Sequence, residues 1–204
     1  MIGIVNYGLG NVQAFLNIYR KLNIACCIIS HPAEVARADK LVLPGVGAFD
    51  WAMRRLNDSG LRPSLSEAVI GKGVPVLGVC VGMQILAVKS EEGSLQGLGW
   101  IDGEVRRLPA DFGGQKLQLP HMGWNDVRPI NDDTLFKGSG SGWRFYFLHS
   151  YFFYFSRSED IAAFTDYGIE FACAIRSRNI FGVQFHPEKS HAWGIQLLKN
   201  FAEL

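Results

Sequence analysis

Val74-Pro75-Val76-Leu77 runs directly into Gly78-Val79-Cys80-Val81-Gly82, and the reading of this stretch decides the fold. The apolar run predicts a buried strand. The five residues after it predict a sharp turn into a helix over Val81 to Lys89, with a cysteine at the apex. A residue at such an apex is held in a strained backbone conformation, and glycines flank it where a Cβ would strike the strand or the helix. The turn aims the sulfur beyond the C-terminal edge of the sheet, where the positive end of the following helix favours thiolate over thiol.

Working outward, further strand-like runs lie at Ile2 to Asn6, Ala25 to Ser30 and Lys40 to Leu43. Helical patterns at Asn11 to Leu22, Phe49 to Asp58 and Leu61 to Lys72 separate them. Strands alternating with helices predict parallel βαβ units. From Gly99 the character changes to short segments, among them Val105 to Leu108, Arg144 to Leu148, Ile161 to Thr165 and Phe171 to Ile175. Turn residues divide them, including Gly113-Gly114, Pro129 and the run Gly138 to Gly142, and together they predict antiparallel strands that extend the sheet. A last strand, Ile180 to Phe185, precedes a closing helix over Ala192 to Phe201, with Ile195, Leu197, Leu198 and Phe201 on its buried side. The predicted fold class is α/β: a single domain over 1–204 with a mixed, largely parallel sheet flanked by helices and an antiparallel extension in the second half.

Composition excludes several classes. With 48% hydrophobic and 19% charged residues the chain is not disordered. Its net charge of +1, with lysines and arginines scattered, offers nothing to nucleic acid or to a membrane surface. Met1-Ile2-Gly3-Ile4-Val5 enters a strand without a basic leader, so no signal peptide is expected. The most apolar stretch, Phe145 to Phe155, is too short for a bilayer and is broken by His149 and Ser150. The four cysteines, at 26, 27, 80 and 173, form no CxxC, which fits a reducing cytoplasm; Cys26, Cys27 and Cys173 read as small buried hydrophobes. The five histidines show no ligand spacing, so neither a metal nor another cofactor is expected.

A nucleophilic thiol needs a base and a group that orients the base. His186-Pro187-Glu188 supplies both, directly after Phe181-Gly182-Val183-Gln184-Phe185 and so at the end of a strand where sites form in parallel sheets. Alone, the tripeptide reads sooner as a structural or exposed turn; with Cys80 it reads as a catalytic triad. An oxyanion hole is expected from Gly45, Val46 and Gly47 in Pro44-Gly45-Val46-Gly47, with the amide of Val81 as second donor. The same Pro44 to Gly47 segment also suits an ordinary strand-to-helix turn.

Gly78-x-Cys80-x-Gly82-x-Gln84 with His186-Pro-Glu188 resembles the class I (triad) glutamine amidotransferases. Asn6-Tyr7-Gly8-Leu9-Gly10-Asn11, Leu43-Pro-Gly-Val-Gly-Ala-Phe49, Pro120-His-Met-Gly-Trp-Asn125, His149-Ser-Tyr151 and Phe185-His-Pro-Glu-Lys-Ser190 are similar to the glutaminase subunits of imidazole glycerol phosphate synthases. The resemblance implies that Cys80 attacks the carboxamide of glutamine, that His186 moves the proton and that Glu188 holds the imidazole. It implies a glutamine site at Gln84, Glu92 and the segment His149-Ser150-Tyr151. Read from the residues alone, Glu92 is sooner a solvated acid in the Ser90-Glu91-Glu92-Gly93 turn, and His149 is equally a satisfied interior histidine.

The resemblance further implies an obligate heterodimer with a cyclase subunit that is a (β/α)8 barrel, contacted by Asn11, Trp124, Tyr146 and Lys189, the Pro120 to Asn125 segment lying in a loop-rich stretch. Ammonia released into neutral water is almost all ammonium and not nucleophilic, so a dry passage to the partner keeps it reactive. Glutamine hydrolysis would then be stimulated when the cyclase site is occupied, and rotation of the Pro44 to Gly47 turn is a candidate switch. Val81 stands where the family commonly has leucine, but the donor there is a backbone amide. Lys189 to Trp193 and Ala87 to Ser90 resemble instead a paralogous branch that supplies ammonia for amidating surface-polysaccharide sugars. A stand-alone cysteine hydrolase of γ-glutamyl peptides would differ in needing no partner, and a scaffold protein would have lost one of Cys80, His186 and Glu188.

Overall fold

A computed structural model describes residues 1–204 except 113–114, 132–133, 139–141 and 156–157. The first half lays down the parallel strands in the predicted places. These are β1 (Ile2–Val5), β2 (Cys26–Ile29), β3 (Lys40–Gly45) and β4 (Val76–Cys80). Helices α1 (Val12–Lys21), α2 (Phe49–Asp58) and α3 (Leu61–Ser66) lie between them, α3 running on as a single π turn over Glu67–Gly71. Asn11 caps α1 by accepting the Ala14 N–H at 3.1 Å. β3 reaches Gly45 because β1 stops pairing with it at Val42, so Pro44 interrupts no ladder bond on that side.

The second half adds β5 (Lys89–Ser90), β6 (Gly103–Arg107), β7 (Asp111–Phe112), β8 (Gln115–Lys116), β9 (His121–Pro129), β10 (Trp143–His149) and β11 (Tyr151–Phe155). After them come β12 (Ile161–Asp166), β13 (Glu170–Ser177), β14 (Ile180–Val183) and α5 (His191–Glu203). The main sheet has nine strands in the order β10-β9-β12-β13-β14-β4-β3-β1-β2. From β14 to β2 all neighbours are parallel; from β10 to β14 all are antiparallel. The α/β class with a large mixed sheet flanked by helices is therefore as predicted.

Several expectations change. The Val105 to Leu108 segment does not extend the main sheet: β6 joins β5 and β11 in a separate three-stranded sheet. Phe145 to Phe155 spans two strands in different sheets, β10 and β11, divided at Ser150. Trp124 lies not in a loop but mid-strand in β9, the longest strand, whose Gly123 and bounding prolines disguise its alternation. On α5, Leu197, Leu198 and Phe201 are buried but Ile195 is exposed, and the inward face instead takes Asn200, which donates to the Leu135 and Lys137 carbonyls. Of the cysteines read as buried, Cys173 is, while Cys26 and Cys27 are half-exposed on edge strand β2. The predicted Gly113-Gly114 turn and residues 139–141 of the Gly138 to Gly142 run lie outside the described residues. Among the described residues no helix is long and apolar enough to cross a membrane.

This topology puts three parallel strand ends side by side. β3 and β14 flank β4, with Gly45 opposite Cys80 and Val183 opposite Val79. The predicted oxyanion turn, nucleophile and histidine turn therefore leave the sheet at one edge, where open parallel sheets carry their sites.

Candidate active site

Cys80 ends β4 with φ 55° and ψ −115°, a left-handed φ that an L-residue avoids and that costs about 1–3 kcal/mol. Close backbone packing holds it there. A Cβ on Gly82 would lie 1.9 Å from the Leu43 carbonyl oxygen, and one on Gly78 would lie 2.7 Å from the Gly82 carbonyl oxygen. Gly82→Ala is thus expected to push β3 from the elbow, destabilising the fold by about 3 kcal/mol or more in urea unfolding. The nearest obstacle is backbone, which cannot swing aside as a side chain can.

The helix after the elbow is not the predicted one over Val81 to Lys89. Only α4 (Val81–Gln84) is helical. The incoming segment 97–101 takes the next carbonyls: Leu98 N–H donates to Ile85, Trp100 and Ile101 N–H to Leu86, and Gly99 N–H to Ala87. Their loss to an outside partner ends the helix, so the dipole at the sulfur is that of a single turn.

The charge on the histidine side is better founded. His186 Nδ1 lies 2.8 Å from Glu188 Oε1, and both side chains are 3% exposed. Burial alone would lower the His186 pKa, but the neighbouring Cys80 sulfur and Glu188 carboxylate outweigh it and push it up to about 10. Glu188 Oε2 has no hydrogen-bond partner among the described residues, so this buried carboxylate depends on the imidazolium for its compensation. Three contacts fix the turn. Phe185 stacks on Phe145 at 3.9 Å between centroids. His186 N–H donates to Tyr146 O at 2.9 Å. The fully buried Ser190 hydroxyl donates to His186 O at 2.6 Å and accepts the Tyr146 N–H at 3.0 Å.

A pocket of about 280 Å³ opens over the sulfur, at the small-metabolite end of the range for ligand sites. Of the residues singled out from sequence, it is lined by Val46, Gly47, Cys80, Val81, Gln84, Glu92, His149, Ser150, Tyr151, His186 and Lys189. Glu188 stands behind His186. Gly45 lies beneath the pocket, packed so that a Cβ would come 2.3 Å from the Gly82 nitrogen. Tyr7 secures the turn's base by donating its hydroxyl to Pro44 O at 2.8 Å.

Glu92 is not a solvated acid. It is half-buried, accepts the Phe49 N–H at the start of α2 at 2.8 Å, and has its pKa raised, chiefly by burial. Asp50 positions it by accepting the N–H groups of Ser94 and Leu95 just beyond it. Trp124, Tyr146 and Lys189 gather at one exposed rim: the Tyr146 ring lies 6.3 Å from Trp124 and 5.7 Å from Lys189 Nζ, while Trp124 stacks on His191 at 5.3 Å. Asn11 is exposed, its side-chain oxygen occupied in capping α1.

The glutamine amidotransferase class-I family profile matches residues 4–204. The chain belongs to the class I glutamine amidotransferases. It is 54% identical to the imidazole glycerol phosphate synthase subunit HisH of Bdellovibrio bacteriovorus and 50% identical to that of Leptospira interrogans, each match covering all of both chains. Among solved structures, a putative GMP synthase subunit from Thermoplasma acidophilum superposes with a TM-score of 0.72 at 21% identity, over 99% of this chain and 92% of that one. That likeness concerns the fold. The chain is thus a glutamine amidotransferase by family.

In this amidotransferase His149 borders the pocket while its ring is held from both sides. Both ring nitrogens are engaged, Nδ1 with Tyr151 O at 2.8 Å and Nε2 with His121 Nδ1 at 3.0 Å, so its ring is a satisfied interior group although it borders the pocket. A carbonyl oxygen only accepts, so Nδ1 carries the proton and Nε2 accepts from His121. His121 is sandwiched between Phe147 and Tyr167, with centroids 4.6 and 4.0 Å away. Sequence reading passes over His121, Ser190 and Gln184, since each stands beside a more conspicuous motif residue.

Burial pushes the His149 pKa down to about 3, with repulsion from His121 adding to it, and burial pushes His121 down to about 4. Both lie below the unfolded value of about 6.5. Below pH 6.5 the unfolded chain therefore takes up protons that the folded chain refuses, and stability falls as pH drops toward 4, by up to about 1.4 kcal/mol per pH unit for each histidine. His186 acts oppositely: its contribution is complete below pH 6.5 and is lost as pH rises toward about 10. The urea midpoint is expected to fall between pH 6.5 and 4.5, less steeply in His121→Phe, which keeps the stacked ring without the titrating nitrogens.

Proposed function

We propose that this amidotransferase hydrolyses glutamine through a Cys80-His186-Glu188 triad and passes the ammonia to a cyclase partner in histidine biosynthesis. The single observation that carries the chemistry is the His186 imidazole, which lines the same pocket as Cys80, lies 2.8 Å from Glu188 Oε1 and has its pKa pushed up to about 10. The Cys80 sulfur attacks the δ-carbonyl of glutamine, its proton having passed to His186. As the C–N bond breaks, His186 returns that proton to the departing nitrogen, giving ammonia and a γ-glutamyl thioester. Water then adds, His186 takes its proton and hands it back to the sulfur, and glutamate leaves. The Val81 amide and the turn of Gly45, Val46 and Gly47 supply the oxyanion donors. Glu92 meets the substrate's α-ammonium, with Gln84 and the backbone of Ser150 and Tyr151 completing the glutamine site.

The pathway reading rests on full-length similarity to subunits of imidazole glycerol phosphate synthases. Trp124, Tyr146 and Lys189 form the rim that would meet a (β/α)8 barrel partner, with Asn11 at its margin. A cytoplasmic heterodimer follows from this reading. The test is glutamate release alone and with the histidine-pathway cyclase carrying its ribonucleotide ligand. Strong stimulation by the loaded cyclase is the expected result; full turnover without any partner, or indifference to that cyclase, would overturn the pathway assignment.

A further inference from the structure

One buried polar side chain beside the sulfur has no part in the triad. Gln184 is fully buried at the end of β14, two residues before His186, and its Nε2 lies 3.8 Å from Cys80 Sγ. Its Oε1 accepts from Gln84 Nε2 at 3.1 Å. Gln84 Nε2 also donates to Tyr151 O at 3.0 Å, the carbonyl that receives the His149 Nδ1 proton.

Side-chain amides of glutamine look alike from either end, so their direction must come from their partners. Here it comes from a backbone carbonyl. Tyr151 O can only accept, which turns the NH₂ end of Gln84 toward it. The second hydrogen of that NH₂ then points to Gln184, which must answer with its oxygen. The NH₂ end of Gln184 is left facing the sulfur. Reversing Gln84 would set two acceptors about 3 Å apart, and reversing Gln184 would set two donors face to face, in a buried site and at the cost of unmade hydrogen bonds. The neutral His149 ring completes the order, being held by His121 and, through it, by Asn125 Nδ2 at 3.2 Å from His121 Nε2.

We propose that Gln184 is a second hydrogen-bond donor to the nucleophile, its N–H aimed at the Cys80 sulfur by the carbonyl of Tyr151 acting through Gln84. The Leu148 carbonyl oxygen also lies near the sulfur, at 3.9 Å, where it can accept from a thiol but only repels a thiolate. Gln184 therefore joins His186 in favouring the anionic sulfur. Gln84 acts through Gln184 and is, in this respect, a positioning residue. The inference rests on Cys80 being the nucleophile.

Gln184→Met keeps the volume and removes the donor. Alkylation of Cys80 by iodoacetamide, followed by peptide mass spectrometry so that Cys26 and Cys27 do not intrude, should slow about tenfold at neutral pH, with its pH profile displaced upward. Gln184→Glu, which presents an acceptor in the same place, should slow it further. Gln84→Met, which frees Gln184 to turn, should act in the same direction and less. A second measurement avoids substitution at Gln184: in the ¹⁵N-glutamine-labelled protein, the Gln184 side-chain NH₂ resonance should move upfield on Cys80→Ala. Alkylation profiles of Gln184→Met and the wild type that superimpose, or a Gln184 resonance indifferent to Cys80→Ala, would overturn the inference. Loss of the triad reading would appear separately, as glutaminase activity surviving in Cys80→Ala, since alkylation reports the sulfur and not turnover.

Discussion

Cys80→Ala is expected to lower glutamate release by about 10⁴-fold or more, while the complex with the proposed cyclase partner still turns over when ammonium salts replace glutamine. The first half follows from the placement of the sulfur. It stands at the apex of a strained elbow and at the floor of the pocket that an imidazole of raised pKa also lines. No other cysteine can substitute: Cys173 is sealed in the core, with burial driving its pKa up, and Cys26 and Cys27 lie on edge strand β2, at the far side of the sheet from the antiparallel extension. The second half separates loss of chemistry from loss of structure. Alanine removes one sulfur from a site whose glycine contacts are made by Gly45, Gly78 and Gly82, so the fold and the partner surface persist. Glutamate release and ammonium-dependent product formation, measured on the same preparation, provide the check.

Glu188→Gln should lower kcat by about 10²–10⁴-fold and change the pH profile as well as the rate. The carboxylate is buried beside a buried imidazole, and burial by itself would hold that imidazole neutral. Without the negative charge the His186 pKa falls from about 10, and the proton needed by the departing nitrogen is held for a smaller part of the alkaline range. The alkaline limb of kcat/KM is therefore expected to move to lower pH in the variant. A fall in rate with an unmoved limb would mean that Glu188 only orients the ring. Stability should drop as well, because the amide cannot balance an imidazolium inside the protein.

The parallel half of the fold is legible in the sequence because strand and helix periods alternate there without interruption, and the glycines of the elbow mark a turn that few other sequences require. The helix after Cys80 is shorter than its composition suggests: Val81 to Lys89 has helical character, but the carbonyls of Ile85, Leu86 and Ala87 are claimed by residues 98–101, a tertiary choice that periodicity does not carry. Trp124 misleads for the opposite reason, since Pro120, Gly123 and Pro129 punctuate a strand that long-range pairing with β10 and β12 sustains. Cys80, His186 and Glu188 are visible because strand ends and residue types agree. Ser190, His121 and Gln184 are not, because what they do depends on partners about 30 to 100 residues away, Tyr146, His149 and Gln84.

All of this chemistry depends on a thioester forming at one sulfur. A diazoketone or chloroketone built on the glutamine skeleton, applied to the cyclase-bound protein, reports that step directly by peptide mass spectrometry. Stoichiometric labelling of Cys80, matched to loss of glutaminase activity and prevented by excess glutamine, is the predicted result. Inactivation with Cys80 unlabelled, or labelling that glutamine fails to prevent, would contradict the assignment.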